Sequence, residues 1–205
     1  MKKIGIALCA ATAFLLSPAA AKAFVLTFDD VPGADPYMTY NPIPNGYGGF
    51  DWDYSFRLAH KDQYPGGGYV HGTVSGEWAA YNALGTTVLI SRQDTFHFTG
   101  AYFSSAFDLS QTLSLKGWRD GTELFSTALE IKNNASRWVQ VDWSGIDTLE
   151  LGSSGWSFVM DDFTFNESPN PVPEPGTMVL LASGLIVFMA RVRSKDMSGG
   201  DIVNS

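Results

Sequence analysis

Residues 50–57 read Phe50-Asp51-Trp52-Asp53-Tyr54-Ser55-Phe56-Arg57, with an aromatic at every second position and a polar residue between. Successive side chains of an extended chain point to opposite faces, so this spacing yields one aromatic face and one polar face in a strand. A helix would scatter the same rings around its circumference. The period of two recurs along the chain. Phe96 and Phe98 flank His97, Leu113, Leu115 and Gly117 alternate with Ser114 and Lys116, and further strand-like runs cover 24–28, 138–143, 146–151 and 156–165. Between 24 and 168 no convincing 3.6-residue period extends over ten residues. Asp120-Gly121, between the 113–117 run and the run at 123–131, is a hairpin signal. With 21 Gly and 10 Pro to make turns, the pattern predicts an all-β protein, a two-sheet jelly-roll-like β-sandwich of about ten short strands.

The ends of the chain obey different rules. Met1-Lys2-Lys3 supplies positive charge, 4–16 is an apolar run, Ser17-Pro18 breaks it, and Ala21-Lys22-Ala23 offers small residues at a cleavage site. Residues 1–23 therefore read as a secretory signal peptide cut by signal peptidase before Phe24. The 13 apolar residues fall short of the roughly 20 that a spanning helix needs. Cys9 lacks a small residue before it, since Leu8 stands there, so a lipoprotein reading fails. Cys9 is also the only cysteine, so the mature chain has no disulfide, and three histidines without a thiol argue against a zinc site.

At the other end, a polar, Pro-rich linker leads to Val172-Pro173-Glu174-Pro175-Gly176, an apolar run at 177–190, and the basic cluster Arg191, Arg193 and Lys195. This three-part order resembles the PEP-CTERM sorting signal of exopolysaccharide-producing Gram-negative bacteria. The resemblance covers about two dozen residues and implies an exosortase partner that recognises Pro173, Glu174 and Pro175. It further implies transient anchorage in the inner membrane by a short transmembrane helix, then release to the cell surface or extracellular matrix. Two departures stand out. The 14-residue run would span only about 21 Å as a helix, and a polar tail at 196–205 follows the basic cluster where such signals usually end. The expected organisation is a signal peptide at 1–23, an ectodomain at 24–168, a Pro-rich linker at 169–176, a transmembrane helix at 177–190, and a basic cluster with polar tail at 191–205.

The ectodomain holds 18 acidic and 7 basic residues, a net charge of −11, against −8 for the whole chain. Phosphate-bearing partners are held by excess Lys and Arg, so nucleic acid is excluded as a partner. Asp29-Asp30 follows the first predicted strand and Asp161-Asp162 lies in the last. If those strands are neighbours, the four carboxylates could form a hard-oxygen site for a structural calcium; otherwise they cap strand ends. The segments G-Y-V-x-G at 68–72, S-G-x-x-x-A-Y-N at 75–82, the aromatic stretch from Phe96 to Phe103 with its G-A-Y-F ending, and the closing W-S-G-I-D at 143–147 and M-D-D-F-T-F at 160–165 resemble exported β-sandwich ectodomains that precede this signal. That resemblance implies an architecture similar to carbohydrate-binding jelly rolls. Tyr37, Tyr40, Tyr47, Tyr64, Tyr69 and Trp118, near predicted loops, are candidates for stacking on sugar rings. Asn45, Asp51, His60, Asp62 and Asn82 are candidate hydroxyl partners. His60, His71 and His97 are scattered and form no recognisable catalytic set, and no pair of acids is marked out for glycoside hydrolysis. The expectation is a non-catalytic exported surface or matrix protein whose partner is exopolysaccharide, with a surface adhesin and a polysaccharide hydrolase as alternatives.

Overall fold

A computed structural model describes residues 23–167. The expected signal peptide apart from Ala23, the Val172-Pro173-Glu174-Pro175 stretch, the apolar run at 177–190, and Arg191, Arg193 and Lys195 lie outside the described residues. Among the described residues no helix is long and apolar enough to cross a membrane. Nine strands form: β1 (Ala23–Leu26), β2 (Asp51–Trp52), β3 (Phe56–His60), β4 (Trp78–Asn82), β5 (Val88–Ser105), β6 (Ser110–Arg119), β7 (Thr122–Lys132), β8 (Arg137–Ser153) and β9 (Phe158–Glu167). One short helix, α1 (Gly68–Gly72), joins them.

The all-β sandwich forms, built as one antiparallel network in the order β3-β4-β9-β5-β8-β6-β7, with β1 beside β9 and β2 beside β5. Two long strands replace pairs of the expected short ones. β5 and β8 pair from Val88↔Leu151 to Phe103↔Arg137, interrupted by bulges between Ser91 and Phe96 and between Phe98 and Gly100. Opposite these, β8 carries Asp142 at φ 52° and Gly145 at φ 75°. Bulges bend strands sharply, so the first part of β5 lies between β2 and β8, and the second between β8 and β9. The bent pair thus serves both layers, and Phe125 of β7 comes to stack on Trp143 of β8 at 5.4 Å. The bulge also resets the inward phase: Val88, Ile90, Phe96 and Phe98 are buried, then Ala101 and Phe103.

The aromatic residues at 50–56 fill the space between the layers. Phe50 meets Phe96, Phe163 and Phe165 edge-on at 5.0, 5.4 and 4.8 Å, and Trp52 meets Phe56 at 5.5 Å. Tyr54 departs from the pattern. Asp53 accepts hydrogen bonds from Ser55 N–H through Oδ1 and from Phe56 N–H through its carbonyl. The resulting turn separates β2 from β3 and leaves Tyr54 73% exposed. The Asp120-Gly121 hairpin forms as expected: Arg119 pairs with Thr122, and both turn residues have positive φ, 49° and 74°.

Turns between strands gather at one end of the sandwich, here called the crossover end. Ala83 N–H donates to the Ser55 carbonyl, Ala106 N–H to Ser157, Trp156 N–H to Asp108 Oδ2, and Asn133 Nδ2 to the Phe107 carbonyl. β9 begins at this end and runs away from it to Glu167, near where Ala23 pairs with Asn166. Both ends of the described chain therefore leave from the opposite end.

Candidate functional site

The run Tyr64-Pro65-Gly66-Gly67-Gly68-Tyr69 enters α1 at Gly68, and Tyr69 is buried. Gly66 and Gly67 take φ of 98° and 65°, conformations that glycine adopts without steric cost. A side chain at Gly68 would run into the Ser105 backbone. Ser104 Oγ donates to the Gly68 carbonyl at 2.7 Å and Gly68 N–H to the Ala106 carbonyl at 3.1 Å, which pins α1 against β5. Beneath it Tyr69, Tyr81, Ala59, Ala79 and Val159 form a small second core on the outer face.

This packing creates a cleft of about 380 Å³ at the crossover end, bounded by Tyr64, Gly66, Phe107 and Asn133 over a floor of Tyr69 and Ala106. Tyr64 stacks on Tyr69 at 4.4 Å and 24°, and Phe107 meets Tyr69 edge-on at 5.4 Å. Phe107 is 56% exposed. Burial holds the Tyr69 phenol far above its ordinary value, and the neighbouring Tyr81 and Tyr64 add to this, so it stays neutral. The cleft has apolar ring walls and an amide, the combination that receives a ligand with one apolar face and hydroxyls at its edge.

A second exposed aromatic pair lies at the same end. Tyr40 and Tyr54 have ring centroids 6.0 Å apart, and the Arg57 guanidinium covers Tyr40 at 4.3 Å. A hydrogen bond with Tyr54 is the main reason the Tyr40 phenol is raised. Of the other stacking candidates, Tyr37 is exposed, Tyr47 is half-buried against Phe28 and Trp52, and Trp118 lies within β6 under Lys116. Asn45, Asn82 and His60 serve the fold. Asn45 Oδ1 accepts from Trp52 N–H, Asn82 joins Phe158 N–H to the Thr86 carbonyl, and His60 packs on Trp78 beside Glu77. Asp51 and Asp62 are exposed, and His71 lies exposed in α1 rather than in or beside a strand.

The terminal strands are neighbours, as the calcium expectation required, with Leu26 opposite Phe163. The acids nevertheless take different partners. Asp161, fully buried, accepts Val74 N–H and Ser75 N–H at 2.8 and 2.9 Å, and Asp162 N–H at 2.7 Å. Ser75 Oγ donates to Asp162 at 2.7 Å. Asp29 accepts Glu77 N–H and Trp78 N–H at 2.7 and 3.2 Å, while Asp30 accepts the Tyr47 hydroxyl at 2.7 Å. Calcium needs six to eight oxygen ligands, whereas these carboxylates are turned to N–H and O–H donors: Asp29, Asp161 and Asp162 clamp the 74–78 loop at both ends, and Asp30 holds Tyr47. Among the described residues no group of three or more acids or histidines is arranged to hold a metal ion. Asp29, Asp30, Asp161 and Asp162 thus act here as anchors for backbone and side chains. Burial pushes the Asp161 carboxyl up to about 7, against the pull of its N–H donors.

Register brings together three residues that sequence reading left apart. His97 lies opposite Ser144, with Ser144 Oγ 2.8 Å from Nδ1 and Asp142 Oδ1 3.5 Å from Nε2. Gln140 Nε2 donates to Asp142 Oδ2 at 2.6 Å. A hydrolytic triad also needs a substrate cleft and oxyanion donors beside the nucleophile; these residues line none of the cavities found at 26–48, 63–133 or 130–137.

The fold defines the class as an all-β sandwich, and a solved structure shares it. A DUF4465 family protein from Bacteroides caccae is similar at 12% identity over 72% of this chain and 100% of that one, with a TM-score of 0.50. TmCBM61, solved in complex with beta-1,4-galactotriose, is similar at 13% identity over 65% of this chain and 100% of that one, with a TM-score of 0.34. At 12% identity the likeness to the DUF4465 protein concerns the fold alone. No curated protein matches the chain. Residues 171–194 match the PEP-CTERM protein-sorting motif. The chain therefore carries that motif, which implies export, processing by an exosortase and sorting to the cell surface.

Proposed function

We propose that this chain is a non-catalytic protein of the cell surface or extracellular matrix that binds carbohydrate in the cleft between Tyr64, Phe107 and Asn133. The observation that carries the reading is the Tyr64–Tyr69–Phe107 cluster, whose rings are set 4.4 and 5.4 Å apart beside an amide. A ring face offers an apolar platform to the C–H face of a pyranose, and an amide can both donate to and accept from its hydroxyls. Exopolysaccharide is the partner that the location offers. The non-catalytic part rests on the Ser144–His97–Asp142 set lying away from the cleft.

The test is a glycan array probed with residues 24–167, a segment that contains the described strands, short of Ala23 at the start of β1, and both apolar clusters. Binding to at least one glycan is expected, with loss in Phe107→Ala and little change in melting temperature, because Phe107 is exposed. Binding that survives both Phe107→Ala and Tyr64→Ala would move the site elsewhere. Release of reducing sugar from a bound glycan would contradict the non-catalytic reading.

A further inference from the structure

Five large apolar side chains stand exposed on the tips at the crossover end: Tyr54 at 73%, Leu84 at 72%, Phe107 at 56%, Leu109 at 82% and Trp156 at 65%. Their loops adjoin one another. The Ser55 carbonyl accepts from Ala83 N–H, a side chain at Gly85 would meet the Trp156 backbone, and Asp108 accepts from Trp156 N–H. Tyr54 adjoins Tyr40 and Phe107 borders the cleft, so the exposed tips run from one aromatic pair to the other. A monomer that displays so many apolar side chains on adjoining tips has a partner for them.

We propose that this end is an extended binding edge for a long, neutral polysaccharide, which enters the Tyr64–Phe107 cleft and continues across Trp156 and Leu84 toward Tyr54. The proposal rests on the carbohydrate-binding reading above and deepens it. Two observations choose the occupant. The chain leaves the sandwich at Glu167 from the end opposite these tips, so the tips are not where the strands lead out. The domain's charge of −11, from 18 acids and 7 bases, repels acidic polymers and anionic membranes at long range. A neutral chain pays no such penalty, and several rings in a row suit a polymer better than a single sugar.

The experiment measures binding of residues 24–167 to xylan, hydroxyethyl cellulose and soluble starch, to trisaccharides of each, and to alginate and polygalacturonate. The native domain is expected to bind at least one neutral polymer about tenfold more tightly than its trisaccharide, the difference that one strong contact makes. Trp156→Ala and Tyr54→Ala should each reduce that advantage and leave trisaccharide binding intact, while Val25→Ala, at the far end, changes neither. Unaltered polymer binding by both edge variants overturns the extended edge and leaves the cleft standing. Tighter binding of alginate or polygalacturonate overturns the neutral ligand. No binding to any carbohydrate overturns this proposal and the reading beneath it, and dimerisation or vesicle binding abolished by Trp156→Ala assigns the tips to another occupant.

Discussion

Gly76 shows how tightly the acids hold the 74–78 loop. Its φ is 52°, and a Cβ there would collide with the Asp29 carboxylate. Gly76→Ala therefore costs a left-handed alanine, about 1 kcal/mol, and it also displaces the Asp29 side chain. That displacement breaks the hydrogen bonds to Glu77 and Trp78 N–H, worth together about 2 kcal/mol. The total is about 3 kcal/mol, roughly 10 °C in melting temperature for a domain of this size. Asp29→Ala alone should cost about 2 kcal/mol, since it loses the same two bonds without the backbone strain. In the double variant the carboxylate is already gone, so adding Gly76→Ala should cost only about 1 kcal/mol. Urea unfolding of residues 24–167 and its three variants measures the cycle. A coupling near 2 kcal/mol supports the clamp, and strictly additive costs would falsify it.

Two further outcomes follow from the same loop. Burial raises the Asp161 carboxyl to about 7, while in the unfolded chain it titrates near 3.9. Between those values the folded state holds a proton that the unfolded state has lost, so this contribution is complete below about pH 4 and disappears as pH rises through about 7. Melting temperature should therefore fall between about pH 4 and 7 more steeply in the native domain than in Asp161→Asn, and parallel curves would remove Asp161 as the cause. Because the acids bind backbone and side-chain donors rather than converging on a cation, adding EDTA should leave the melting temperature unchanged. A drop on chelation, reversed by calcium, would reinstate the metal.

The sequence announced the strands by their period, and the Asp120-Gly121 turn by chemistry that is wholly local. The break at Tyr54 was hidden because Asp53 and Ser55 satisfy the alternation and also make the turn. The length of β5 and β8 was hidden for a similar reason: bulges reset the burial phase, so one bent strand reads as two. α1 has a poor helical sequence, two glycines in five residues, and is held by its contacts with β5. The terminal strands beside the acidic pairs are neighbours, but the donors that hold the acids lie up to 87 residues away, where no spacing rule reaches. Tyr64 and Tyr69 stood among the stacking candidates; Phe107 and Asn133 join them only through the closing of the crossover end. The one local signal of that closure is the triple glycine between the two tyrosines, which marks a close backbone approach.

Delivery to the cell surface is the claim on which the functional account depends, and intact mass of the secreted protein tests it most directly. Native protein from the extracellular fraction should begin at Phe24 and lack the C-terminal apolar run. A variant with Pro173, Glu174 and Pro175 all replaced by Ala should stay with the membrane at its full processed length. The three residues lie outside the apolar run, so a simple anchor would tolerate their loss. Identical mass and location for the native and variant chains would contradict the account.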